Sequence, residues 1–537
     1  MLSAELERTL AEMATKPDPA YYVMLAAQDM VATDVQATHG AASAVDISRG
    51  RSLDVDVRVG SMKLDNTHKI RDAGWFSDEP RFSYSLPLSV SPAHPTRLTV
   101  WSAIDDAWRA SVRRLVKVRT NDAVKVERED TSDDFSPAPP VKQVEDLGAF
   151  AVDGAQWQDA VRRASAVFLN YPEIHDSNTN FRAEDVVRTL VSSEGTRLRS
   201  HRHHARVATW AGTVAPDGME LSVYDYVDAA SLSKLPNTAA LVDMAHDVAR
   251  RLVALRAAPM VDPYVGPAIL RGRAAAVFFH EILGHRAEGH RQKDEDEGQT
   301  LTDKVGEEIF PPFISVHDDP TLPAWGATDL NGHYRHDDEG VAAQRVTIVE
   351  SGVLRGFLLS RAPIEGFPLS NGHGRRQAGN DVVARQGNLL VSASKTVPYD
   401  KLKAQLIAEI KAQGKPFGLI FDDISGGFTF TGRTTPNSYT VKPVTVWRVW
   451  PDGRPDELVR GVDFIGTPLT TFKNILAASD RTDVFNGVCG AESGWVPVSA
   501  VAPDLLVREV EVQRKDKAND RPPLLPPPLP DRASAAR

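Results

Sequence analysis

The stretch Pro259-Met260-Val261-Asp262-Pro263 constrains the fold of this 537-residue chain more than any other feature, because the texture of the sequence changes there. Two prolines so close together fit neither a helix interior nor a central strand. Before the break, segments 2–13, 101–118, 157–166 and 238–257 carry apolar residues at helical spacing, whereas 21–31, 44–59, 205–210 and 221–226 read as strands. The polar, proline-containing stretch 130–141 reads as a loop or insertion. After the break, one helix is expected, followed mostly by short β segments separated by Gly, Asp and Pro. Segments 346–349 and 353–358 flank Glu350-Ser351-Gly352, and 444–450 and 457–464 flank Pro451-Asp452-Gly453-Arg454, so each pair predicts a hairpin. A short helix is expected over 470–478 and a last strand over 505–512. The expectation is an α+β fold: a mixed α/β domain at 1–258, a β-rich barrel-like or sandwich-like domain at 259–517, and a Pro-rich mobile tail at 518–537.

Composition narrows the function. A net charge of −10 argues against nucleic acid as the main partner, since phosphate binding needs a concentrated basic face. No run of 18 apolar residues occurs, so no membrane span is expected. The single cysteine, Cys489, rules out an intramolecular disulfide. Glu5, Glu7, Glu12 and Asp18 in place of an apolar segment predict no signal peptide in the chain as given. The default compartment is a reducing cytoplasm, although a cleaved leader would be missing from this chain.

His280-Glu281-Ile282-Leu283-Gly284-His285 follows the apolar segment 274–279 and offers two imidazoles flanking a carboxylate. In the familiar zinc-protease pattern the histidines are four apart and face one side of a helix. Here they are five apart, and at 100° per residue an ideal helix turns the second ring about 140° from the first. Both rings reach one ion only if the helix is distorted, and Gly284 is where an end or a π-type bulge forms most easily. His280 and His285 are then candidate zinc ligands and Glu281 the candidate base for a zinc-activated water. For a third ligand the best candidate is Cys489, in Gly487-Val488-Cys489-Gly490, because a thiolate suits zinc and the glycines let backbone approach an ion. Taken alone, a free cysteine is most often a buried small hydrophobe. His201, His203 and His204, with arginines beside them, read as a solvated surface strand, and the acidic run Asp294-Glu295-Asp296-Glu297 as a solvated loop.

Several ordered motifs carry a resemblance. Pro267-Ala268-Ile269-Leu270-Arg271-Gly272-Arg273-Ala274-Ala275 leads into the His-Glu motif and then Glu288-Gly289. Asp318-Asp319-Pro320-Thr321, Asp337-Asp338-Glu339-Gly340-Val341, Glu350-Ser351-Gly352-Val353-Leu354-Arg355-Gly356, Phe464-Ile465-Gly466 and Gly487-Val488-Cys489-Gly490 follow in order. From about Tyr264 to Val512 the chain resembles the TldD/PmbA metallopeptidases, specifically their TldD-type catalytic subunit. The resemblance implies an amino-terminal α/β domain with a β-rich carboxy-terminal domain, the zinc-motif helix lying near their junction. It also implies Zn2+ on His280, His285 and Cys489 with Glu281 as base, and peptide-bond hydrolysis in unfolded proteins or peptides. A homodimer, or a heterodimer with a PmbA/TldE-type homologue, is expected. Asp337, Asp338 and Glu339 are candidates to orient the ligand imidazoles, although carboxylates beside a strand are more often turn formers. The alternatives are a non-catalytic peptide-binding or scaffold subunit with a structural zinc, and a zinc amidohydrolase acting on a small non-peptide molecule.

Overall fold

The computed structural model describes residues 1–70, 83–88, 93–123, 130–433, 438–466 and 468–515. The Pro-rich tail expected from residue 518 lies outside the described residues. The fold is α+β and built on two large sheets. In the first, the long strands Ala20–Thr38, Asp46–Ser61, Asp176–Ser192, Arg197–Val214 and Glu220–Ala229 pair antiparallel. The helices Gly154–Ala166 and Thr238–Ala257 pack on one face of this sheet through Trp157, Val161, Leu241, Val248 and Leu252. Val100, Ile104 and Leu115 of the Ala93–Ala123 helix pack with Leu53, Val55 and Val57 of the second strand.

In the second sheet the pairings close on themselves. Strand Tyr264–Leu270 pairs with Gly418–Thr429, which pairs with Tyr439–Val449, then Val462–Gly466, then Gly494–Arg514, and the last returns to Tyr264–Leu270. That ring is the barrel-like element expected from the sequence, and closure removes free edges. Against it lies the helix Gly272–Phe279, with seven buried residues. The Gly272 amide donates to the Asp504 carboxylate at 2.7 Å, so a carboxylate supplied by the last strand caps the helix start.

Most strands of this half are short, as expected, and two details are corrected. Some strands run on, with 12, 17 and 21 residues in Gly418–Thr429, Ile475–Ala491 and Gly494–Arg514. Gly, Asp and Pro read as strand ends are instead register shifts within continuous ladders, as at Ile424/Gly427 and Ala478/Thr482. The helix expected over 470–478 is Pro468–Lys473, after which Ile475, Ala477 and Ala478 join a strand opposite Val507, Leu506 and Leu505. Cross-strand burial overrides a helical preference there.

The two halves interlock. Segment 130–141, expected as a loop, runs as a strap across the second half: the Ser136 amide donates to the Arg361 carbonyl at 2.8 Å and Arg361 Nε donates to the Ser136 carbonyl at 2.8 Å. Arg361 also grips Glu194, in the turn between Asp176–Ser192 and Arg197–Val214, through both carboxylate oxygens, at 2.7 and 2.8 Å. Tyr226 Oη of the first sheet donates to the Asn486 carbonyl at 2.7 Å, three residues from Cys489, so the first sheet borders the strand that carries the thiol.

Candidate metal centre

The α-helix Gly272–Phe279 widens into one π-helical turn over His280–Gly284, and the His285 amide donates to the His280 carbonyl five residues back. A π turn holds more residues than an α turn, so positions five apart fall on one side. The distortion expected from the motif spacing is present, and the rings of His280 and His285 lie 5.1 Å apart, centroid to centroid. Gly284 is needed for packing more than for its dihedrals: a Cβ there would lie 1.8 Å from Oε1 and 2.2 Å from Cδ of buried Gln386. Gly284→Ala is therefore expected to cost about 1–3 kcal/mol by overpacking and to displace His285, read as a lowered urea midpoint and lowered zinc content.

Cys489 comes from the strand Ile475–Ala491, which forms a tight hairpin with Gly494–Arg514. Its Sγ lies 3.2 Å from His280 Nε2 and 3.3 Å from His285 Nε2. For zinc bonds of 2.0–2.1 Å to nitrogen and about 2.3 Å to sulfur, tetrahedral geometry requires an N···S separation of about 3.5 Å. The observed spacings are within a few tenths of an ångström, and two imidazoles with a thiolate are a zinc-type donor set, so these residues fit that ion. Burial alone raises the Cys489 thiol, but the imidazoles of His285 and His280 outweigh it and hold it well below its ordinary range.

Glu281 lies in the same π turn and is 6% exposed. Burial pushes its carboxyl above the ordinary range, against the opposing pull of His280 and His285. Bare backbone faces it: a Cβ on Gly427 would meet Glu281 Cγ at 2.5 Å and Cδ at 2.8 Å. Arg286 holds the turn from the other side, donating to the Glu281 and Ile282 carbonyls at 3.0 and 3.2 Å.

The carboxylate that orients an imidazole is Glu288, which sequence reasoning did not assign. Its Oε2 meets His285 Nδ1 at 3.2 Å and Arg291 Nε at 2.9 Å, and its Oε1 meets Arg385 Nε at 3.1 Å. Burial raises Glu288, yet His285, Arg291 and Arg385 together drive it far below the carboxylate range. Arg385 in turn donates to the Cys489 carbonyl at 2.9 Å and to Ser493 Oγ at 2.9 Å, so one buried ion pair ties His285 to the thiol's backbone. The available signal was position: Glu288 follows His285 by three residues, one helical turn.

Asp337, Asp338 and Glu339 do not take the orienting role weighed for them. Asp337 caps its own turn, accepting from the Glu339 and Val341 amides at 3.0 and 2.9 Å and from the Gly374 amide at 2.9 Å. Asp338 pairs with Arg188, and Glu339 accepts from the Arg361 amide at 2.6 Å. The acidic run is tied down: Asp294 and Asp296 pair with Lys69, and Glu297 with Arg291 at 2.8 Å. His201, His203 and His204 lie in a strand, but their side chains are only 5%, 9% and 16% exposed, which corrects the solvated-surface reading.

Residues 264–514 match the family model described as PmbA/TldA metallopeptidase C-terminal domain. The chain is 28% identical over 250 residues to a metalloprotease TldD homolog of Haemophilus influenzae, covering 46% of this chain and 48% of that protein. It is 25% identical over 254 residues to a zinc metalloprotease TldD homolog of Saccharolobus solfataricus, covering 46% of this chain and 51% of that protein. The matches thus span about half the length of these curated relatives. Among solved structures, TldE from Thermococcus kodakarensis superposes with a TM-score of 0.62 at 13% identity, covering 96% of this chain and all of that one, which is a likeness of fold. No helix among the described residues is long and apolar enough to cross a membrane. Residues 264–514 thus carry the C-terminal domain of the PmbA/TldD metallopeptidase family, and the chain as a whole shares the fold of TldE.

Proposed function

We propose that the chain is a zinc-dependent metallopeptidase that hydrolyses peptide bonds in unfolded proteins or peptides, with His280, His285 and Cys489 as ligands and Glu281 as general base. The observation that carries this reading is the approach of two Nε2 atoms to one Sγ at 3.2 and 3.3 Å, with a buried carboxyl in the same turn. Zinc bound there would supply a Lewis acid that polarises a scissile carbonyl and lowers the pKa of water toward ~7. Glu281 accepts the proton of the attacking water and returns it to the leaving amine, a role suited to a carboxyl whose proton affinity burial has raised. Glu288 fixes the ring of His285 and keeps Nε2 facing the thiol. A thiolate ligand donates more charge than an imidazole, so a modest turnover is expected. Substrate enters as an extended strand beside a sheet edge, where backbone pairing gives affinity without sequence demand.

The same reading gives the chain the active role in a dimer, with a second copy or with a PmbA/TldE-type homologue, in the cytoplasm. The test is a substrate panel. Unfolded casein and short peptides should be cleaved, lose cleavage after chelation and regain it with added zinc; turnover confined to small non-peptide amides would overturn the peptidase reading.

A further inference from the structure

A second set of ligand-type side chains lies on the first sheet, in the other half of the fold. His201 and His203 alternate along the strand Arg197–Val214, so both rings stand on one face, shared with Ala205 and Val207 of the packed core. Asp185 of the neighbouring strand sits directly opposite His203 in the register. Its Oδ1 lies 2.6 Å from His201 Nε2 and 3.6 Å from His203 Nε2, and the two rings are 4.7 Å apart, centroid to centroid.

One atom in this group is unexplained. His203 makes a backbone hydrogen bond with Gly148 and stacks on Phe150 at 4.3 Å, yet its Nε2 has no hydrogen-bond partner, although the side chain is only 9% exposed. A buried ring nitrogen left unpartnered is destabilising, and this one lies 3.6 Å from a carboxylate oxygen, just beyond hydrogen-bond reach. A cation between them would use that lone pair. For bonds of about 2.0–2.1 Å, tetrahedral ligand atoms stand about 3.3 Å apart, which falls between the two distances observed.

We propose that Asp185, His201 and His203 form a second binding site for a divalent transition-metal cation of the zinc class. Two imidazoles and one carboxylate select such ions over calcium or magnesium, which prefer all-oxygen shells. His201 needs one rearrangement. Its Nδ1 now accepts from the Leu147 amide at 2.8 Å, so Nε2 carries the ring proton and donates it to Asp185. When the cation takes the Nε2 lone pair, that proton is released and Nδ1 is protonated instead, with Asp146 Oδ1, 3.6 Å from Nδ1, as its new acceptor. Leu147 is 55% exposed and Asp146 adjoins it, so the segment that must shift lies at the surface. The bound ion would join two strands to the segment above them.

The test titrates cobalt(II) into the full chain after chelator stripping, for wild type, His203→Ala and the shape-preserving Asp185→Asn, each checked for folding by far-ultraviolet circular dichroism. Both variants should take up one equivalent less than wild type, and the lost signal should be visible d–d absorption without a thiolate-to-cobalt band. The charge-transfer band from Cys489 reports the other centre separately. Equal uptake by wild type and both variants would overturn the proposal, whatever that band does.

Discussion

Glu281→Gln will retain zinc while losing peptide hydrolysis by about 10²–10⁴-fold, the usual weight of a positioned general base. Glutamine keeps the volume of the side chain, and volume is tightly limited here. The carboxyl is 6% exposed and packs against the bare backbone of Gly427. The variant removes proton transfer and little else, because the contacts of Cys489 Sγ at 3.2 and 3.3 Å are with His280 and His285, which it leaves in place. Casein hydrolysis at matched zinc content checks it, and full activity in the variant would return the chain to the rival reading of a structural zinc.

Arg385→Met will destabilise the fold by about 3 kcal/mol, measured by urea unfolding, and weaken zinc binding by about 10–100-fold. Glu288 and Arg385 both have fully buried side chains, at 0% exposure. Removing the guanidinium leaves the Glu288 carboxylate still paired with Arg291 and His285, so the loss falls at the low end for a broken buried pair. The same substitution takes away the donor to the Cys489 carbonyl. Stability and metal affinity should therefore fall together, whereas a merely packing role for Arg385 would lower stability and leave affinity intact.

How much of this was legible in the sequence differs from element to element. The helix Thr238–Ala257 reads directly from its apolar spacing, with Asn237 capping the Ala240 amide. The motif's five-residue spacing already demanded a distorted helix, and the π turn at His280–Gly284 meets that demand. Cys489 was different: 209 residues separate it from His280, and no periodicity links a strand hairpin to a distant helix. Its thiol chemistry and flanking glycines made it the best candidate for a third ligand, and the resemblance joined it to the two histidines. The strand Asp176–Ser192 was missed although Ser177, Thr179, Phe181 and Ala183 alternate inward, because Ser177 and Thr179 are polar and leave too short an apolar period of two. The helix Tyr399–Ala412 was missed although Leu402, Leu406 and Ile410 are spaced for one buried stripe, because a texture of short strands was expected there. Glu288 and Arg385 stayed hidden because a buried ion pair is a property of the folded neighbourhood, and 97 residues lie between them.

The most direct test is zinc content, by elemental analysis, of wild type beside His280→Ala and Cys489→Ser. Each variant should hold one equivalent less than wild type, because a nitrogen from the π turn and a sulfur from the distant hairpin serve a single ion. Unchanged zinc in either variant would contradict the account at its centre.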